Sequence, residues 1–198
     1  MTLPPTSRAA LLEAARRALL HRLNAGGAPP LPPDRPPEWC PELTAPCGCF
    51  VSLHEHGTGK LRGCVGRLDA TRPVWEAVRI TAGDVLHDPR FVSTNPVTPA
   101  DVPHLEIEVS VLSPPRAAAS PTDFSLLDDG IYLTLGKCGG FFLPQVARDT
   151  GWSKEQLLAR LCTEKLGVAA DAWKLPEARL YTFDVEVIGP APLIDAPP

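Results

Sequence analysis

Between Leu61 and Gly66 the sequence reads LRGCVG, an extended-type stretch in which two glycines bracket a cysteine. Glycine weakens a strand because it forfeits side-chain packing and backbone entropy. Its use at Gly63 and Gly66 therefore signals that another backbone or a ligand comes close, or that the strand bulges there. If the segment is extended, Arg62 and Cys64 point to one face, and a guanidinium beside a thiol favours the thiolate, the form that attacks or binds metal. That is the chemistry the segment offers. In the alternative, Cys64 is a small buried core residue and Arg62 belongs to a surface or structural ion pair.

Other combinations are weaker. Cys40, Cys47 and Cys49, with His54 and His56 after them, supply sulfur and nitrogen donors but lack the paired Cys-x-x-Cys knuckle of a structural zinc site, so no metal is expected. Glu106 and Glu108 alternate along one strand face, as an acid and base pair would, yet a solvated outer face produces the same pattern and is favoured. His87 stands where a helix should end, and the helix dipole accounts for it without catalysis. No Ser-His-Asp pattern, phosphate-binding glycine loop or dinucleotide fingerprint is present, and no cofactor is implied.

The elements that must position these residues follow from periodicity. Thr6 or Ser7 is placed to cap a helix bearing Leu12, Ala15, Leu19 and Leu23, with Asn24-Ala25-Gly26 as its stop. Cys49 to Glu55 and Lys60 to Gly66 read as strands joined by the turn Gly57-Thr58-Gly59. Pro73 opens a helix whose stripe is Val74, Val78, Ala82 and Val85, ending before Asp88-Pro89. Leu105 to Val111 alternates strictly. A second hairpin is expected from Ile131–Leu135 and Phe141–Leu143 around residues 136–140, followed by a short helix from Pro144. Ser153 and Gln156 have capping-box spacing ahead of a helix that Gly167 ends. Tyr181 to Val187 reads as one closing strand. Hairpins and helices without a regular strand-helix-strand repeat predict an α+β fold, an antiparallel or mixed sheet with helices packed on it.

Composition narrows the setting. The chain has 198 residues and a formal net charge of -4, with no run of Lys or Arg able to follow a phosphate backbone, so nucleic acid is not an expected partner. Met1 to Leu23 is broken by Glu13, Arg16 and Arg17 and offers neither a signal-peptide core nor a membrane span. A cytoplasmic setting is expected, in which the six cysteines stay reduced. The 24 prolines concentrate between Pro29 and Pro46 and from Pro190 to Pro198, as an ordered arm or loose coil.

Taken together, LRGCVG, Asp88-Pro89-Arg90-Phe91, the run from Leu105 to Leu112, Phe142-Leu143-Pro144-Gln145-Val146 and Tyr181 to Val187 closely resemble the AMMECR domain family, whose bacterial and archaeal members are called AmmeMemoRadiSam system protein A. The resemblance covers about Pro46 to Ile188. It implies a larger and a smaller lobe, with LRGCVG near a groove between them, and a ligand-binding set of Arg62, Gly63, Gly66, Pro144 and Gln145. It also implies an accessory role beside a Memo-type protein and a radical SAM enzyme. Cys47, Cys49 and the stretch from Thr81 to His87 depart from the family pattern. The expected organisation is an N-terminal helix and proline-rich arm over 1–45, the AMMECR-type domain over 46–188 and a proline-rich tail over 189–198. Function divides between a binding module for a partner protein or unknown small molecule, which is favoured, and an enzyme or redox-active protein using Cys64 as its thiol.

Overall fold

The computed structural model describes residues 2–24 and 30–194. Two units emerge, one formed by 1–112 with 186–198 and the other by 113–185, each built on its own four-stranded sheet.

In the first unit, helix α1 (Pro5–Arg22) buries Leu11, Ala14, Ala15, Ala18 and Leu19. Its N-cap is Pro4 rather than Thr6 or Ser7, because proline's fixed φ already suits a helix start. The Ser7 hydroxyl is instead buried and donates to the Glu42 carboxylate. Asn24 takes φ 50° just past the helix end, and the rest of the expected stop, Ala25-Gly26, lies outside the described residues.

Strands β1 (Gly48–Glu55) and β2 (Leu61–Arg67) form the first hairpin, with Gly57 and Gly59 in the left-handed conformation that the turn requires. Helix α2 (Val74–Asp84) follows Pro73 and ends in a short 3-10 turn, Val85–His87. Strand β3 (Leu105–Leu112) pairs antiparallel with β1. Its residues Leu105, Ile107, Val109 and Val111 are at most 1% exposed and face a core shared with α1 and α2. Burial of each such side chain stabilises the fold by about 2 kcal/mol.

The proline-rich arm is tied to α2: the Trp75 indole donates to the Pro33 carbonyl at 2.9 Å and Arg79 to Asp34 at 2.9 Å, while Cys40 is fully buried. From Pro30 onward it is therefore an ordered arm; Pro29 lies outside the described residues.

The second unit holds β4 (Arg116–Ala117), β5 (Gly130–Leu135), β6 (Cys138–Phe142), α3 (Pro144–Thr150), α4 (Lys154–Arg160) and β7 (Arg179–Phe183), in sheet order β4-β7-β5-β6. The second hairpin turns more tightly than its sequence suggests, since Cys138, Gly139 and Gly140 pair with Leu135, Thr134 and Leu133. Ser153 and Gln156 form the expected capping box, and Gly167 at φ 68° ends the π-type turn that prolongs α4.

The run from Tyr181 to Val187 is two strands, not one. β7 ends at Phe183, and β8 (Val185–Pro192) joins the other sheet, whose order is β2-β1-β3-β8. The break falls at Asp184, whose carboxylate accepts from Arg116 at 2.7 and 3.0 Å and whose amide donates to the Ser113 hydroxyl at 2.9 Å. Pro190 and Pro192 are tolerated because β8 is an edge strand.

Candidate functional site

LRGCVG is β2, and β2 is the edge of its sheet. An edge strand presents backbone groups with no neighbouring strand, and these must find other partners. At Cys64 the partner is the Asp88-Pro89-Arg90 turn. The Cys64 amide donates to Asp88 Oδ2 at 2.9 Å, and Arg90 Nη2 donates to the Cys64 carbonyl at 3.1 Å. The same Asp88 carboxylate accepts from the Arg90 amide at 3.0 Å, from its Nε at 3.0 Å and from its Nη2 at 2.6 Å. One buried carboxylate thus closes the turn as an Asx-type cap and caps the sheet edge. The Arg90 guanidinium, aided by the Cys64 amide, outweighs the effect of burial and holds the Asp88 carboxyl down at about 2.

Arg62 sits elsewhere than its spacing predicts. Leu53 pairs with Gly63 while His54 pairs with Leu61, so Arg62 is the extra residue of a β-bulge, and the simple two-residue alternation with Cys64 is lost. The Arg62 guanidinium reaches Asp101 at 3.4 Å, Asn95 at 3.3 Å and Glu55 at 3.6 Å, and the residue is 6% exposed. Burial pushes Asp101 up, but the Thr98 hydroxyl and amide together with Arg62 outweigh it and hold this carboxyl below its ordinary value. Cys64 instead lies across from Ser52, on the alternate face of β1 from Leu53 and Glu55. The guanidinium beside the Cys64 thiol is that of Arg90, with the thiol among the groups that favour its charged form. The signal for this residue was local: an Asp-Pro-Arg turn directly after a helix.

The glycines admit the protein's own backbone. A Cβ at Gly63 would meet the Val85 carbonyl oxygen at 3.0 Å and its Cγ2 at 3.1 Å. One at Gly66 would collide with the Cys49 carbonyl and the Phe50 ring. Pro144 and Gln145 open α3, which belongs to the second unit, whereas Arg62, Gly63 and Gly66 belong to the first. Pro144 is buried there, and the Gln145 Oε1 is a buried acceptor with no partner among the described residues.

A family model described as AMMECR1 matches residues 12–188. The chain belongs to the AMMECR1 family. It is 33% identical over 189 residues to a protein of Thermococcus gammatolerans, covering 89% of this chain and 87% of that one. A protein of Methanothermobacter thermautotrophicus is also 33% identical, over 184 residues, covering 89% and 91%. The crystal structure of an uncharacterized protein from Pyrococcus horikoshii superposes with a TM-score of 0.79 at 32% identity, covering 93% of this chain and 92% of that chain. Among the described residues no helix is long and apolar enough to cross a membrane.

Within this AMMECR1-family chain the cysteines near the hairpin start are core residues: Cys40, Cys47 and Cys49 are 0 to 2% exposed. Burial pushes the Cys49 thiol up to about 11 and raises Cys47 as well, which disfavours the thiolates a metal needs. His54 bonds the Gly59 carbonyl at 3.2 Å, and His56 bonds Glu106 at 2.9 Å. No group of three His, Cys, Asp or Glu among the described residues is arranged to hold a metal ion. Elemental analysis of the purified protein is expected to find no stoichiometric zinc. About one zinc per chain, lost when Cys47 and Cys49 are changed to Ser, would overturn this.

The outer face of the sheet departs from the solvated pattern expected for Glu106 and Glu108. Glu106 is engaged by His56, Glu108 is half-buried, and their neighbours Ser52 and Ser110 are 9% and 5% exposed.

Proposed function

We propose that this AMMECR1-family protein is a binding component rather than a catalyst, working in the cytoplasm beside a Memo-type protein and a radical SAM enzyme, the partners its family resemblance implies. The observation that supports a binding role is the internal neutralisation of the LRGCVG corner. Asp88 is committed to Arg90 and the Cys64 amide, and Arg62 to Asp101, Asn95 and Glu55. Asp88, the carboxylate that touches the Cys64 backbone, is held ionised at about 2, too weak a base to take a thiol proton. What the corner turns outward is firmly held surface, with Gly66, Arg67 and Arg90 exposed and Cys64 and Val65 half-exposed.

The test is affinity purification of the tagged full chain from its source cell, with quantitative mass spectrometry of what accompanies it. Both a Memo-type protein and a radical SAM enzyme are expected, each reduced about fivefold or more by Arg67→Glu, since reversing a charge within an interface commonly costs 1 kcal/mol or more. Enrichment of neither protein sinks the partner assignment.

A second reading keeps Cys64 as a reactive thiol, favoured by its partial exposure beside the Arg90 guanidinium. Its signature is alkylation of Cys64 at neutral pH faster than that of an unstructured peptide thiol. A slower reaction removes it.

A further inference from the structure

Strand β4 is short, and its shortness leaves a space beside β7. The two pair at Thr182 and Tyr181, and the Ala118 amide adds a bond to the Leu180 carbonyl at 3.0 Å. The chain then turns off through Ser120 and Pro121, where proline has no amide with which to continue a ladder. β7 reaches back one residue further, to Arg179, and the segment 174–178 leads into it. This segment and the departing chain line a cavity of about 450 Å³, all of it within the second unit and in the size range of small-molecule sites.

The wall is largely apolar, with Ala118, Pro121, Leu175 and Leu180 among its residues. Arg179 and Tyr181 stand two apart on β7 and therefore share one face. The Tyr181 ring lines the cavity and is held against Tyr132, with centroids 5.9 Å apart. The charged groups of the wall are both cations. Arg179 Nη1 donates to the Pro176 carbonyl at 2.5 Å and to the Ala178 carbonyl at 3.0 Å, which fixes the guanidinium without matching its charge, since carbonyls are neutral. Lys174 lies over the Trp173 ring at 5.1 Å. Among the described residues no carboxylate lines the cavity. Asp123 is close in the chain but accepts from the Ala119 amide at 3.2 Å. Glu155 has its carboxyl held down first by its own amide and the Ser153 hydroxyl, with Lys154 and Lys174 behind them, and it stands outside the wall.

We propose that this cavity binds an organic phosphate, with the phosphate held by Arg179 and Lys174 and a flat ring lying against Tyr181. A phosphate monoester carries close to two negative charges at neutral pH, which two cations match and a single carboxylate would not. The apolar wall and the aromatic ring suit the uncharged part of such a molecule, which gains by stacking and by leaving water. The site goes beyond the partner-protein reading. Its test uses the purified chain alone, so its failure and the absence of the partner proteins are separate results.

Isothermal titration calorimetry on the full chain takes adenosine monophosphate as the probe, with adenosine and inorganic phosphate each supplying one half of it. The whole molecule is expected to bind about tenfold or more tightly than either half, because each half forgoes one set of contacts. Lys174→Gln and Arg179→Gln are each expected to weaken its binding about tenfold, the scale of a charge-assisted hydrogen bond. Arg179→Gln also gives up the Pro176 and Ala178 carbonyls, so its melting temperature is measured alongside. Lys174 is exposed, and the Lys174→Gln result decides the matter whatever the other variant does to the fold. Lys137→Gln removes an exposed cation outside the wall and is expected to leave the affinity unchanged. Failure of adenosine monophosphate to bind at millimolar concentration, either half binding as tightly as the whole, or an affinity indifferent to Lys174→Gln overturns the proposal.

Discussion

Replacing Gly66 with alanine is expected to lower stability by about 3 kcal/mol, and replacing it with valine to prevent folding. Gly66 pairs with Phe50 across the β1–β2 ladder, and a Cβ there runs into the Cys49 carbonyl and the Phe50 ring. Relief requires a backbone to move. β1 cannot give way, because its other edge is paired with β3 along its whole length, from Gly48–Leu112 to Glu55–Leu105. Gly63 makes the contrast. Its obstacle is Val85 at 3.0 Å, in a three-residue 3-10 turn able to shift by the few tenths of an ångström an alanine needs, so Gly63→Ala is expected to cost about 1 kcal/mol. Urea denaturation of the two alanine variants separates them. Equal losses, or a Gly66→Ala loss below about 0.5 kcal/mol, would mean that the ring and carbonyl are not what glycine serves.

The glycine pattern shows how far the sequence alone could be read. That something approaches Gly63 and Gly66 follows from residue type, but that the visitors are Val85 and Cys49 depends on packing and register that no local pattern encodes. Leu105–Leu112 was legible because its alternation is strict and one face is wholly apolar. The same alternation concealed the break at Asp184. A polar residue was due at that position in either case, and its partners Arg116 and Ser113 stand 68 and 71 residues away. The bulge at Arg62 was hidden for a related reason, since it exists only relative to β1. One extra residue in the pairing then sends Arg62 to Asp101 and gives Cys64 a different guanidinium, Arg90. The strand that carries Cys64 was therefore legible in the sequence, and the guanidinium beside its thiol was not.

Asp88→Asn is expected to cost about 2 kcal/mol at neutral pH and to flatten the acid limb of the stability curve. The carboxyl falls from its ordinary value of 3.8 to about 2 in the folded chain. A depressed carboxylate contributes stability that is complete above the unfolded value and is lost as the pH falls through the folded one, so the window runs from about pH 5 down to about pH 2. The gap between 3.8 and about 2 corresponds to about 2 kcal/mol. Screening trims the share that comes from Arg90, whose side chain is 57% exposed, but not the share from the Cys64 amide, which meets Asp88 where it is 2% exposed. An asparagine keeps an oxygen for the Cys64 amide and loses both the charge and the fork to Arg90, so the edge of β2 should stay paired while the turn loosens. Denaturation at pH 7 and at pH 3 decides the matter: the wild-type chain should lose more stability than the variant on acidification. Parallel losses would place the acid-sensitive carboxylates elsewhere, with Asp101 and Asp184, both held below their ordinary values, next in line.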